Sequence, residues 1–295
     1  MNRLLIIGSN GFIGKIFCQN FINNNLKKWK ITEITLISNK FDKLSKFKKH
    51  KHIKFVRSNF KDITVLENYS NVIYAIKSKS YNDDKIVFSN FCKLAKKYLK
   101  NSKISYLSSG SVYGLNFNKY KMKETKMINP KNYINYRNYK NIYSKIKISN
   151  EKKILTLSKS VKKISILRCF SFIGKNLLDD DYLLSCLFNY KNKKKKLMLN
   201  QNAFRSFMNE KDLVNWILTI NFFNKNFNIF NVGSDRAYSL KRIIKIFSSI
   251  KKINCSIKFI KDKVDFYIPD ISKSKLFFNL KHNGNLKDNL LRIKN

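Results

Sequence analysis

Three of the chain's eight glycines fall within seven positions, Gly8-Ser9-Asn10-Gly11-Phe12-Ile13-Gly14. They follow directly on the apolar run Leu4-Leu5-Ile6-Ile7, and apolar residues at helical spacing continue from Phe12 to Asn23. Strand, glycine turn and helix in that order leave few folds open. The spacing G-x-x-G-x-x-G makes a tight turn whose bare backbone can approach a pyrophosphate, which then lies on the positive end of the helix. The whole chain has only two prolines and four alanines. In such a background a glycine marks a place where the backbone admits little else. Gly110 and Gly114 mark a second special loop, Ser108-Ser109-Gly110-Ser111-Val112-Tyr113-Gly114.

Short apolar runs alternate with longer amphipathic segments through the first half. Leu4–Ile7, Ile34–Ile37, Ile53–Val56, Val72–Ala75, Ile104–Leu107 and Ile164–Leu167 read as buried strands, and Phe12–Asn23 and Val87–Leu99 as helices. Apolar strands separated by helices predict an α/β fold, a Rossmann-type doubly wound parallel sheet covered on both faces. Beyond residue 170 the pattern turns irregular, with Asp179-Asp180-Asp181, the run Lys193–Lys196 and a helix near Asp212–Ile220. That half reads as a smaller α+β lobe. The expected domains are 1–170, binding a dinucleotide, and 171–295, binding substrate, with segments such as 203–233 free to return to the first. The Lys193–Lys196 run reads as a solvated loop.

The formal charge of +43 would suit a nucleic-acid partner, but the lysines are spread along the whole chain. A binding footprint should be clustered. Lys, Asn, Ile, Phe and Tyr are abundant while Gly, Ala, Pro and Arg are scarce, the drift expected of AT-rich coding sequence. Nucleic acid is therefore not the expected partner, although the field would attract an anionic substrate. Cys18, Cys92, Cys169, Cys186 and Cys255 form no Cys-x-x-Cys pair. They read as reduced thiols in a cytoplasmic protein, with no metal expected. His50, His52 and His282 are the only histidines, which argues against a Ser-His-Asp hydrolase. No apolar run approaches a membrane span, and the start of the chain reads as a strand rather than a signal peptide.

Tyr143 and Lys147 stand four apart, on one face of a helix. A lysine ammonium beside a phenol favours the phenolate and makes the tyrosine usable as acid or base near neutral pH. Among 15 tyrosines the pair alone says little. Ser109 adds weight, because it follows the strand Ile104–Leu107 at the carboxyl edge of the sheet, where α/β folds bind ligands.

Taken in order, these motifs resemble the extended short-chain dehydrogenase/reductase family, in its NAD-dependent epimerase/dehydratase branch acting on nucleotide sugars. Gly8 to Gly14 is similar to its cofactor loop, and Ser108 to Gly114 to its Ser-Ser-x-x-Val-Tyr-Gly segment. Glu124 and Pro130 fall at its substrate-side loop. Tyr143, Lys147 and Glu151 resemble its Tyr-x-x-x-Lys-x-x-x-Glu helix. Leu167-Arg168-Cys169-Phe170-Ser171, Arg205-Ser206-Phe207-Met208, Asp212-Leu213, Asn231-Val232-Gly233 and Pro269 to Lys273 resemble later landmarks.

The resemblance implies roles. Tyr143 would be the acid/base on a sugar hydroxyl or keto oxygen, Lys147 would lower its pKa and hold the nicotinamide ribose, and Ser109 would bind the reacting oxygen. Gly8, Asn10, Gly11, Phe12, Ile13 and Gly14, with Ser38 and Lys40 at the adenine ribose, would hold NAD(P). Ser109, Ser111, Ser171 and Arg205 would contact a nucleotide-diphosphate sugar, Arg205 at the diphosphate. Arg168 and Asp212 would be structural, and the protein a homodimer. Departures sharpen this. Ser38 and Lys40 stand where a ribose-binding carboxylate is usual, which favours NADP(H). Gly110 and Ser111 replace the Asp-Glu pair of 4,6-dehydratases, and Ser171 and Ser206 replace an Asn and an Asp beside the substrate. An epimerase or 4-ketoreductase is therefore expected. The alternative is a non-catalytic Rossmann protein binding RNA through its basic surface.

Overall fold

A computed structural model describes residues 2–126, 128, 139–177, 187, 197–252 and 257–294. Pro130, Asp179-Asp180-Asp181, Cys186, Lys193–Lys196 and Cys255, singled out above, lie outside the described residues. The chain divides into two compact units: 1–114, 127–168 and 214–230 form the first, and 115–126, 169–213 and 231–295 the second.

The first unit is built on strands β1 (Asn2–Ile7), β2 (Ile31–Ser38), β3 (Ile53–Arg57), β4 (Asn71–Tyr74), β5 (Lys103–Ser109) and β6 (Ile164–Cys169). A late strand, β10 (Asn228–Val232), completes a seven-stranded sheet of order β10-β6-β5-β4-β1-β2-β3. β1 pairs in parallel with β2 on one side and β4 on the other, and β2–β3 and β4–β5 are parallel as well. The order reverses direction at β1, which makes its carboxyl end, between β1 and β4, the crevice where such sheets bind ligands. Leu4 to Ile7 are wholly buried, as strands covered on both faces must be.

Helix α1 (Phe12–Ile22) leaves the glycine turn, α2 (Tyr81–Tyr98) follows β4, and α3 (Tyr139–Leu157) precedes β6. Tyr74, Phe88, Phe91, Tyr106, Ile154 and Ile166 share one core cluster beneath α2 and α3. Burying each such side chain contributes roughly 1.5–3 kcal/mol. α2 starts six residues before the apolar spacing predicts. Ser80 caps it by accepting from the Asp83 amide at 3.3 Å, and Asp83 and Asp84 in its first turn suit the positive helix end. Tyr81, Asn82, Asp83 and Lys85 are exposed, so this turn carries little apolar signal. Helix α4 (Glu210–Phe223) buries Trp216 wholly and is joined to β5 by the Asn221 amide, which donates to Lys103 O and Ser105 Oγ, each at 3.0 Å.

The second unit holds a three-stranded sheet in which β8 (Leu197–Ser206) lies between β11 (Ala237–Ser239), antiparallel, and β12 (Ile257–Tyr267), parallel. A two-stranded pair joins β7 (Phe172–Ile173) to β9 (Met208–Asn209). Helices α5 (Leu240–Lys251), α6 (Ser272–Phe278) and α7 (Leu286–Lys294) complete it. Ile243, Ile244 and Phe247 of α5 pack with Leu286 and Leu290 of α7 in its core.

Candidate active site

The three glycines of the first turn do different work. Gly8 has φ +83°, and a Cβ there would lie 2.6 Å from the Ile76 amide nitrogen. A Cβ on Gly14 would lie 1.7 Å from the Ser9 carbonyl oxygen, so only glycine lets the helix start this close to the turn. A Cβ on Gly11 would meet nothing within 4 Å. Gly11 is also the N-cap of α1, and no side chain caps that end or places an acid in its first turn. A bare, uncapped helix start facing open space fits the pyrophosphate of a dinucleotide. Phe12 is buried and Ile13 half-buried against the unit. Gly11→Val is expected to leave a folded protein that no longer binds dinucleotide. Isothermal calorimetry on the folded variant checks this, and unchanged affinity would refute the assignment.

Asn10 braces the loop after β2. Its amide donates to Asp42 Oδ1 at 2.8 Å, and its oxygen accepts from the Lys43 amide at 3.2 Å. That contact holds the exposed Asp42 carboxyl below its usual range. Ser38 is the buried last residue of β2, and Lys40 beyond it is exposed. Parallel pairing sets Arg57 of β3 directly beside Ser38, and its Nε donates to Asn39 O at 3.2 Å. Arg57 escapes a reading of the sequence because only the β2–β3 register brings it to this edge.

Lys147 of α3 is 2% exposed. Its ammonium donates to Leu107 O at 2.8 Å and Ile76 O at 3.1 Å. It lies 5.5 Å from the ring centre of half-buried Tyr143 and 4.9 Å from that of Tyr106. Ile76 thus touches both the glycine turn and the lysine. Ser109, two residues past Leu107, ends β5 in extended conformation, and its Oγ accepts from the Ser111 amide at 3.1 Å. The first unit therefore contains the glycine turn, Ser38, Lys40, Ser109, Ser111, Tyr143 and Lys147.

A buried ion pair supports α3 and β6. Arg168 donates to Glu151 through Nη2 at 2.8 Å and Nε at 3.1 Å, and to Tyr113 OH at 2.9 Å. Ser108 Oγ donates to Glu151 Oε1 at 2.5 Å. Burial works against the Arg168 charge, but Glu151 outweighs it and holds the guanidinium above its usual range. These four side chains tie the segments before Ser109 and after Lys147 together.

In the second unit, Arg205 is one-quarter exposed (26%), and its Nη2 meets Asp265 Oδ2 at 2.8 Å. Asp265 also accepts from the Asn116 amide at 3.0 Å, so a carboxylate that sequence spacing does not single out orients this arginine. Ser171 is half-buried and its carbonyl accepts from the Met208 amide at 3.1 Å. Ser206 is wholly buried, and its Oγ has no partner among the described residues. Glu124 accepts from the Asn231 amide at 2.8 Å, and Asp212 from the Asn283 side-chain amide at 3.1 Å.

Among the described residues no group of three or more His, Cys, Asp or Glu is placed to hold a metal, and no helix is long and apolar enough to cross a membrane. Cys18, Cys92 and Cys169 are in no disulfide, and burial pushes the Cys18 thiol up to about 12 and that of Cys92 to about 11, away from thiolate chemistry.

Residues 4–233 match the model of the NAD dependent epimerase/dehydratase family, and the chain belongs to that family. No curated protein matches the chain in sequence. Solved structures share its fold. The dTDP-glucose 4,6-dehydratase of Bacillus anthracis str. Ames, in complex with NAD, superposes with TM-score 0.81 at 17% identity, over 99% of this chain and 95% of that one. The UDP-glucuronic acid 4-epimerase of Bacillus cereus, also with NAD, gives 0.78 at 19%, over 98% and 96%. The dTDP-glucose 4,6-dehydratase of Streptomyces venezuelae gives 0.84 at 14%, over 99% and 95%.

Proposed function

We propose that this protein is an NAD(P)-dependent epimerase or 4-ketoreductase of a nucleotide-diphosphate sugar, with Tyr143 as its acid/base. The observation that carries the reading is the buried Lys147 ammonium, tethered by two carbonyls and set against the Tyr143 ring, in the same unit as a bare glycine turn. A nicotinamide dinucleotide, when bound, would supply the hydride acceptor and donor, and Gly8, Gly11, Gly14 and the start of α1 would hold its pyrophosphate. Tyr143 Oη takes the proton of the sugar hydroxyl as that carbon is oxidised, and returns it on reduction. Lys147 favours the phenolate, and Ser109 Oγ hydrogen-bonds the reacting oxygen. In the first unit Ser111 offers a hydroxyl for the sugar; in the second unit Ser171 offers another, and Arg205, oriented by Asp265, presents a planar fork of donors that suits a diphosphate. Gly110 and Ser111 bring no carboxylate for removal of the C6 hydroxyl, which separates this chain from a dehydratase. Membership in the NAD dependent epimerase/dehydratase family supports the same reading.

A panel of UDP- and dTDP-sugars incubated with the protein and NAD(P), followed by mass spectrometry and proton NMR, tests it. Inversion at a ring carbon, or reduction of a 4-keto sugar, is expected. A protein that binds dinucleotide but alters no nucleotide sugar overturns it.

The NAD complexes named above are under 20% identical to this chain, and the end of β2 here suits NADP(H). Ser38 has no charge to repel a 2′-phosphate, and Lys40 and Arg57 supply cations beside it. NADPH is expected to bind at least ~10-fold tighter than NADH, about 1.4 kcal/mol, with Arg57→Ala erasing most of the difference. Dissociation constants measured side by side decide this. Tighter NADH binding would overturn it and move the weight from reductase to epimerase.

A further inference from the structure

The amino-terminal edge of the seven-stranded sheet carries a cavity of about 580 Å³, a size common among small-molecule sites. It lies in the first unit, where β1, β4 and β5 begin and α2 ends, and its wall includes Arg3, Tyr69, Lys97, Tyr98, Lys100 and Asn101. Gly8 of the cofactor turn stands at the other end of β1, ~16 Å from Arg3 along the strand. The cavity is therefore separate from the crevice described above. Its wall is braced from within. Buried Ser102 donates to Tyr69 O at 2.6 Å. The Ser70 hydroxyl accepts from the Arg3 amide at 3.0 Å and donates to Arg3 O at 3.1 Å. Buried Tyr69 lies under the Arg3 guanidinium, 4.9 Å from its ring centre.

The charges around this cavity are unequal. No carboxylate belongs to its wall. Arg3 is engaged: Nε donates to Glu33 Oε1 at 3.0 Å and Nη1 to Asn68 O at 3.2 Å, and Nη2 meets Glu67. Glu33 also meets Lys54 Nζ at 2.9 Å. Exposed Lys97 and Lys100 form no ion pair among the described residues. Lys97 Nζ lies 5.1 Å from the ring centre of half-buried Tyr98. Lys96 and Lys97 also close the last turn of α2, where two cations outweigh the roughly half negative charge of a helix end.

Two ammoniums without a carboxylate, the Asn101 amide and a tyrosine ring around one cavity are the chemistry that holds a phosphate ester carrying a flat ring. Inorganic phosphate would occupy only a small part of the volume. We propose that this cavity binds a nucleoside phosphate, with the phosphate on Lys97 and Lys100 and the base beside Tyr98. The positive field of the whole chain adds to the attraction. Neither Tyr143 nor Lys147 takes part, so the site stands whether or not the protein turns over nucleotide sugars.

The test titrates ADP, and separately inorganic phosphate, into the ¹⁵N-labelled full-length protein and follows backbone amides by NMR. Asn101 and Ser102 report on this cavity, and Gly11 and Ser109 on the carboxyl edge of the sheet. ADP is expected to move Asn101 and Ser102. Lys97→Glu combined with Lys100→Glu should weaken that binding at least ~10-fold, through loss of two contacts to charged groups. The response of Gly11 and Ser109 to ADP should stay as in the wild type. Both lysines are exposed, so the fold tolerates the change. Inorganic phosphate should act on the same two amides at least ~10-fold more weakly than ADP, since it has no base to stack. Asn101 and Ser102 amides that ADP leaves unmoved overturn the proposal. So does a response that survives both charge reversals, and so does phosphate binding as tight as that of ADP.

Discussion

Tyr143→Phe is expected to fold, to bind dinucleotide as the wild type does, and to lose turnover by ~10²–10⁴-fold, the usual contribution of a positioned acid/base. At ~1.36 kcal/mol per tenfold this is roughly 3–5 kcal/mol of transition-state stabilisation. The ring remains, so packing around half-buried position 143 changes little. Lys147→Ala should reduce turnover more than Lys147→Arg, because it removes the cation beside the phenol. It also strips Leu107 O and Ile76 O of their donor. Melting curves are therefore needed beside the rates, to separate lost chemistry from lost stability. Ser109→Ala should cost less, since it deletes a hydrogen bond and leaves the proton carrier. Steady-state rates on the sugar nucleotide found by the panel make the comparison. A Tyr143→Phe enzyme with near-normal turnover would make Tyr143 one tyrosine among 15 and remove the mechanism.

Glu151→Leu should be the most damaging single change to stability, at about 3–5 kcal/mol. It leaves the Arg168 guanidinium buried without its carboxylate, the situation that makes a broken buried pair so costly. Ser108 loses its acceptor in the same step. For a protein of this size each kcal/mol moves the melting temperature by ~2–4 °C, so a fall of about 10 °C is expected by calorimetry. Replacing both partners, Glu151→Leu with Arg168→Met, should recover much of it, because no lone charge remains. A double variant as unstable as the single one would show that the cost lies in packing rather than in the unpaired ion.

The sheet was legible because covered parallel strands must be apolar on both faces. Leu4–Ile7, Ile34–Ile37 and Ile104–Leu107 each lie within a strand that runs at least two residues longer. β10 was less legible, because Asn228 and Asn231 interrupt its short apolar pattern; the Asn231 amide is used by Met122 O at 2.7 Å. The start of α2 was hidden by its polar first turn, and with it Asp84. That turn holds together through a cap and a buried carboxyl, neither of which leaves a periodic mark.

What the sequence determined by itself is whatever depends on neighbours a few residues apart. The Gly8–Gly14 turn is of this kind, since missing side chains act locally on the backbone. So is the pairing of Tyr143 with Lys147, which one helical turn enforces. The tertiary structure alone decided which distant groups meet. Register between β2 and β3 set Arg57 beside Ser38, and packing of α2 on α3 brought Asp84 to Asn150. The fold of the second unit gave Arg205 its carboxylate, Asp265, sixty positions along the chain. The reason is physical: burial strips water from charged groups, and the partners that replace it come from whichever elements the core has drawn together, at separations that spacing along the chain does not encode.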